Sequence, residues 1–240
     1  MSTQAPLRAD LFNAPAIPTN ATLPNGTVGL WQPTVVTLIS GQNEAVLVDT
    51  LYTPEQGYLT QRFPGASVVS TTSSISHMAT PEFQASWNDL FPVQITTESF
   101  QILAKPLQDN KFTLDGHTTF LHVPSLGMIV AGYIVYNDVH MWMTESPAQS
   151  QRDAWIRSLG VLESYKPAVV VASHHRPGAV DGPWNVRASM EYIGTFSRLV
   201  RESSSAKELY DKVLLAYPRR IGTLVLWTGC KAVFPDDVGV

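Results

Sequence analysis

The sequence predicts a layered α/β protein, and three stretches carry that prediction. Residues 34–39 and 44–50 are β-branched runs joined by Gly41-Gln42-Asn43, the pattern of a hairpin. Residues 121–133, closing into 134–140, form an apolar run broken at Pro124-Ser125-Leu126-Gly127, which reads as two short buried strands about a tight turn. Residues 167–172 are a continuous apolar segment behind an amphipathic stretch, the order of a helix followed by a fully buried strand. Strands alternating with helices stack as layers around a shared core.

The remaining elements follow in chain order. Residues 1–27, rich in Pro, Asn, Thr and Ala, read as an irregular arm ahead of a single domain over 28–240. Asp49-Thr50 ends a strand at a loop, with Asp49 a candidate for hydrogen bonding that loop. Thr53-Pro54-Glu55 and Thr80-Pro81-Glu82 each place a capping hydroxyl before a proline, the start signal of a helix. The second of these helices carries Phe83, Trp87, Leu90 and Phe91 on one face. Between the two lie a short strand at Val68-Val69 and a polar stretch over 70–76. Extended segments follow at 93–97 and 100–104. Beyond the central hairpin, helices are expected over 150–165, 184–201 and 206–217. The segment 223–227 fits either a last strand or a helix extension.

Composition narrows the function classes. The 240 residues are 44% hydrophobic and 15% charged, the balance of a protein that buries a core. A net charge of −4 gives no electrostatic reason to expect nucleic acid or an acidic membrane surface as partner. Cys230, the one cysteine, rules out an intrachain disulfide and a cysteine metal cluster. Neither a basic start with an apolar core nor an apolar run of about 20 residues is present, so a soluble, cytoplasmic protein is expected. The sequence contains no G-x-G-x-x-G after a strand, no P-loop and no G-x-S-x-G elbow, so no cofactor is expected.

Several stretches resemble the metallo-β-lactamase superfamily, in its small stand-alone hydrolases. They are Trp31-Gln32-Pro33-Thr34 into Ile39-Ser40-Gly41, the strand from Glu44 to Thr50, and Arg62-Phe63-Pro64-Gly65-Ala66. His117 to Ser125, Ala131-Gly132 and Val171-Ala172-Ser173-His174-His175-Arg176-Pro177-Gly178 continue the series in the family's order. The resemblance implies a four-layered αββα sandwich with its active site at one edge, between two sheets. It also implies a chain truncated by one βα segment near residue 56, because the segment after Gly57 already resembles what lies downstream of the missing part.

That missing part would carry the family's H-x-H-x-D-H zinc motif, and nothing in this chain fits it. Lys111-Phe112 falls where the family has Gly-His, and Tyr133 falls where it has a bridging Asp. Of the six histidines, only His174 stands at a family ligand position. Catalytic zinc needs about three protein ligands around an open position. Without the metal no bound water has its pKa lowered to about 7. No metal site is expected.

The resemblance would bring Phe112, Tyr133, His140 and His174 together at the former metal pocket. Two imidazoles and a phenol are sufficient for proton transfer at neutral pH, with His140, His174 and Tyr133 as the catalytic set. Val139-His140-Met141-Trp142-Met143 would add a soft, aromatic wall for an apolar or polycyclic molecule, with Trp142 and Met143, like Phe112, in contact with the substrate. His175 and Arg176 could present a cation to the substrate, although Arg176 equally suits a carboxylate such as Asp181. The expectation is therefore a metal-independent enzyme, a lyase or isomerase, acting on a small organic substrate such as a natural product by isomerisation, dehydration or cyclisation. Two alternatives stay open: a non-catalytic small-molecule-binding or scaffold protein, and a residual zinc hydrolase. The oligomeric state is open too, a homodimer included.

Overall fold

The computed structural model describes residues 6–49, 69–91, 105–106 and 119–236. The chain begins with β1 (Arg8–Ala14), β2 (Ile17–Thr22), β3 (Val28–Trp31), β4 (Thr34–Ser40) and β5 (Ala45–Val48). Residues 8–14 and 17–22 are thus strand, against the expectation of an irregular arm. β1 pairs antiparallel along all of β4, from Arg8 opposite Ser40 to Ala14 opposite Thr34, and β2 pairs with β3. The composition of this arm misleads because β4 offers it an edge, and backbone pairing outweighs the weak strand preference of Asn and Pro. The expected hairpin forms between β4 and β5, closed by Gly41 N–H to the Glu44 carbonyl at 2.8 Å.

Next come β6 (Val69–Ser70), α1 (Thr72–Met78), α2 (Pro81–Leu90) and β7 (Lys105–Pro106), which pairs with β6. α1 occupies most of the polar stretch 70–76, for which the sequence predicts no element, and Thr71 starts it by accepting the Ser74 N–H. α2 begins as expected, with Thr80 as cap and Pro81 in the first turn. The helix expected at Thr53, the segments 93–97 and 100–104, the truncation near 56, and Phe112 and His117 lie outside the described residues.

The second half contains β8 (Leu121–Val123), β9 (Met128–Val130), β10 (Tyr136–Asn137), α3 (Gln149–Ser164), β11 (Val169–Val171), β12 (His174–His175), α4 (Trp184–Arg201), α5 (Ala206–Ala216) and α6 (Thr223–Val233). β9 pairs antiparallel with β8 and parallel with β11. Alternation along these strands builds the layers. Met128, Val130 and Val171 face Val35 and Ile39 of β4, making a core between two sheets. Ile129 and Val170 face the opposite way, into a larger core with Leu159, Leu162, Ile193, Phe196 and Leu209 of the helices. A strand buried on both faces is apolar at every position, as the Val169–Val171 run is. The ambiguous segment 223–227 is helical, and its Leu224, Val225 and Leu226 are all buried. None of the helices among the described residues is long and apolar enough to cross a membrane.

Candidate functional site

His174 reaches its place through two short links. Val35 N–H donates to the Ser173 carbonyl at 2.7 Å, tying β12 to the start of β4. β12 also pairs in parallel with β10, setting Tyr136 opposite His174 and Asn137 opposite His175. The His174 ring is buried, and its Nδ1 lies 2.8 Å from the Pro33 carbonyl oxygen. A carbonyl only accepts, so the proton sits on Nδ1, and Nε2 is the nitrogen with the lone pair. Burial pulls the His174 pKa down to about 4, helped by the neighbouring His175 and opposed by the Pro33 carbonyl. At neutral pH this ring is an uncharged acceptor.

Three aromatic rings surround it. Tyr136 stacks on it at 5.7 Å and 22°, Trp31 meets it edge-on at 5.9 Å, and Tyr133 tilts against it at 5.2 Å. Tyr133 sits in a one-turn 3-10 helix, Gly132–Ile134, and is 39% exposed. Gly132 makes that turn feasible. Its φ is +56°, and a Cβ there would come within 3.2 Å of the Thr119 carbonyl. The phenol therefore stands where solvent meets the buried imidazole.

His175 faces the other side of the strand. Its Nδ1 lies 3.1 Å from Asp181 Oδ2, and Asn13 of β1 donates to its Nε2 at 2.6 Å. Asp181 Oδ1 accepts from the amides of Asn137 at 3.0 Å and Asn185 at 3.4 Å. With its side chain only 6% exposed, Asp181 is fully occupied by these partners. Arg176 therefore does not pair with Asp181. It lies beyond the strand end and pairs with Asp138 at 3.5 Å.

His140 lies in different surroundings. It is fully buried, with Nδ1 2.9 Å from the Tyr192 hydroxyl, and Nε2 has no hydrogen-bond partner among the described residues. Burial, then the nearby Arg220, brings its pKa down to about 3. Its ring contact is with Tyr192, whereas those of His174 are with Trp31, Tyr133 and Tyr136. Met143 is part of the helical core, close against Gly229, rather than a wall. Trp142 is half-buried beside Trp31 at 5.3 Å and Trp87 at 6.5 Å, its Nε1 donating to Glu145 at 3.3 Å. Trp87 in turn stacks on Phe91 at 5.7 Å, so α2 and the residue after it contribute two rings to the same cluster.

Sequence reasoning missed Trp31, Tyr136 and the Pro33 carbonyl, the groups that hold the His174 ring. It also missed the destination of Asp49, which accepts the Ser173 hydroxyl next to His174. Asp49 has φ +63°, uncommon for a residue with a side chain, and burial raises its carboxyl pKa. The adjacent Ser-His pair was a usable signal, because a serine beside a buried histidine needs a partner of its own.

These donors do not fit a catalytic zinc ion. Among the described residues no three His, Cys, Asp or Glu side chains stand close enough to share one. Among the described residues the His174 ring is packed by Trp31, Tyr133 and Tyr136.

The backbone carries its own resemblance. A metallo-β-lactamase family protein from Thermus thermophilus superposes with a TM-score of 0.52 over 95% of this chain and 92% of that one, at 14% identity. This chain has the metallo-β-lactamase fold. The metallo-β-lactamase FIM-1 from Pseudomonas aeruginosa, in a mono-zinc form, gives a looser match, with a TM-score of 0.43, 12% identity, and 80% and 96% of the two chains covered. No family model and no curated protein matches the sequence. On this metallo-β-lactamase fold, the described part of the expected pocket holds one imidazole and a set of aromatic rings.

Proposed function

We propose that this chain is a metal-independent enzyme that transfers protons on a small aromatic or polycyclic organic substrate. The observation that carries this reading is the bond from His174 Nδ1 to the Pro33 carbonyl, with the half-exposed Tyr133 phenol against the same ring. Nε2 takes a proton from an acidified C–H of the substrate, and the Tyr133 hydroxyl donates a hydrogen bond or a proton to the adjoining carbonyl oxygen. Returning the proton to a different atom gives isomerisation, and losing water or closing a ring gives dehydration or cyclisation. Trp87 and Trp142, both only partly buried, supply flat apolar surface nearby, with the buried Trp31 packed between them and His174. His140, enclosed against Tyr192, is not part of the proton path in this reading.

The low pKa of His174 favours a second reading, in which the neutral imidazole only accepts a hydrogen bond from a bound phenol and no turnover follows. One experiment separates the two. 2-Tetralone, an enolisable aromatic ketone, is incubated with the protein in D2O, and deuterium at the carbon beside its carbonyl is followed by NMR. Exchange above the buffer rate, unchanged by chelator and lost in His174→Phe, is the expected result. Saturable binding of 2-naphthol with no exchange of 2-tetralone supports the second reading, and exchange abolished by chelator defeats both.

A further inference from the structure

A second concave surface lies next to β10, away from the His174 ring but sharing Tyr136 with it. It is a depression of about 370 Å³ between β10, the segment leading into α4, and Arg220, within the range of small-molecule sites. Two large apolar side chains stand open at it, Val180 at 72% and Trp184 at 56% exposure. The Trp184 indole lies across Gly182, where a Cβ would come within 2.2 to 2.5 Å of three ring carbons. Any larger residue at 182 would push the ring off the backbone, so the glycine is what lets the indole lie close against it. An exposed indole lying against the backbone at a concavity is a stacking platform.

Arg220 provides the polar end. Its guanidinium rests over the Tyr192 and Tyr217 rings, at 4.7 and 5.2 Å, and Nη1 donates to the Val139 carbonyl at 2.7 Å. Among the described residues Nε and Nη2 make no hydrogen bond, and no carboxylate is within ion-pair distance. Asp138, which also lines the depression, is paired with Arg176 at 3.5 Å, and both it and Glu191 act on the guanidinium from beyond ion-pair distance. Asp181 is taken up by His175 and the amides of Asn137 and Asn185, so it does not compete for this cation. A rigid guanidinium with two such nitrogens matches the two oxygens of a carboxylate.

We propose that this depression binds a small aromatic carboxylate, its ring on Trp184 and its carboxylate on Arg220. The proposal does not depend on the reaction assigned to His174. It is tested by calorimetric titration of the full chain with 2-naphthoate, beside 2-naphthalenemethanol, which lacks the charge, and acetate, which lacks the ring. Saturable binding with a Kd below about 1 mM is expected, and each control should bind about tenfold more weakly or worse. Trp184→Ala and Val180→Glu, both at exposed positions, should each weaken 2-naphthoate about tenfold and leave the thermal midpoint in place. Arg220→Lys keeps the charge but loses the fork, and should weaken it as well. The proposal is overturned by absence of saturable binding, or by binding that both exposed-site variants leave unchanged. It is equally overturned if His174→Phe abolishes binding while Trp184→Ala does not, because the ligand then sits at the other site.

Discussion

His174 and His175 are neighbours on a two-residue strand, and the two faces of that strand treat the same side chain in opposite ways. On one face the imidazole meets a backbone carbonyl and three aromatic rings. On the other it meets a carboxylate that also collects two amides, and a third amide caps its remaining nitrogen. The His175 side is a polar network in which both ring nitrogens and both Asp181 oxygens have partners, the arrangement of a structural rivet. The His174 side sets an acceptor nitrogen in an aromatic enclosure. Residue type and burial are the same, and only the partners of the two rings differ.

Removing the rivet should produce the largest effect. Asp181→Ala leaves His175, Asn137 and Asn185 without their common acceptor in a buried site, at a cost of roughly 3 kcal/mol. The midpoint and slope of urea unfolding measure it. A loss below about 1 kcal/mol would mean that the network is not structural.

Acid tests the other face. The pKa of His174 is about 4 in the folded chain against 6.5 ordinarily, so the unfolded chain binds a proton that the folded chain refuses. Stability from this group is therefore full above about pH 6.5 and is lost as the pH falls toward 4. Between about pH 7 and pH 5 the loss is about 2 kcal/mol from this ring. His140, with a folded value of about 3, adds a loss of the same sign. Unfolding of the chain and of His140→Gln at both pH values separates the two, because the variant should keep only the His174 part. In the exchange assay, the same lowered value holds activity level down to about pH 4.5 rather than letting it fall at about 6.5.

Smaller changes sharpen the contrast further. Asn13→Ala should cost about 1 kcal/mol, since it leaves the buried His175 Nε2 uncapped. Tyr133→Phe should change stability by less than about 0.5 kcal/mol, yet slow 2-tetralone exchange about a hundredfold. A variant that is stable and equally active would remove Tyr133 from the reaction.

Much of the fold could be read in the sequence because its signals are local. The β4–β5 hairpin, the Thr80-Pro81 helix start, the amphipathic period of α3 and the apolar run of β11 each lie within a few neighbouring residues. β1 was missed because it is a strand by virtue of β4, far along the chain. The site divides in the same way. His174 could be picked out by its motif and Tyr133 by its position at a strand end. The partner of Asp181 could not: Arg176 and His175 are adjacent, and only the facing of β12 decides between them. Met143 was misjudged for a similar reason, because a soft residue beside an aromatic wall has the same composition whether it faces a pocket or, as here, α6.

The hydrogen bond between His174 and Pro33 spans 141 residues of chain. It has a kinetic consequence. Contacts of such sequence separation close large loops and form late in folding. The acceptor nitrogen of His174 is defined only once the two sheets have met, so a chain lacking Pro33, or a nascent chain not yet past residue 174, has no such site. Any reactivity at this imidazole would then arrive together with the completed fold and be lost at the first opening of the seam between β4 and β12.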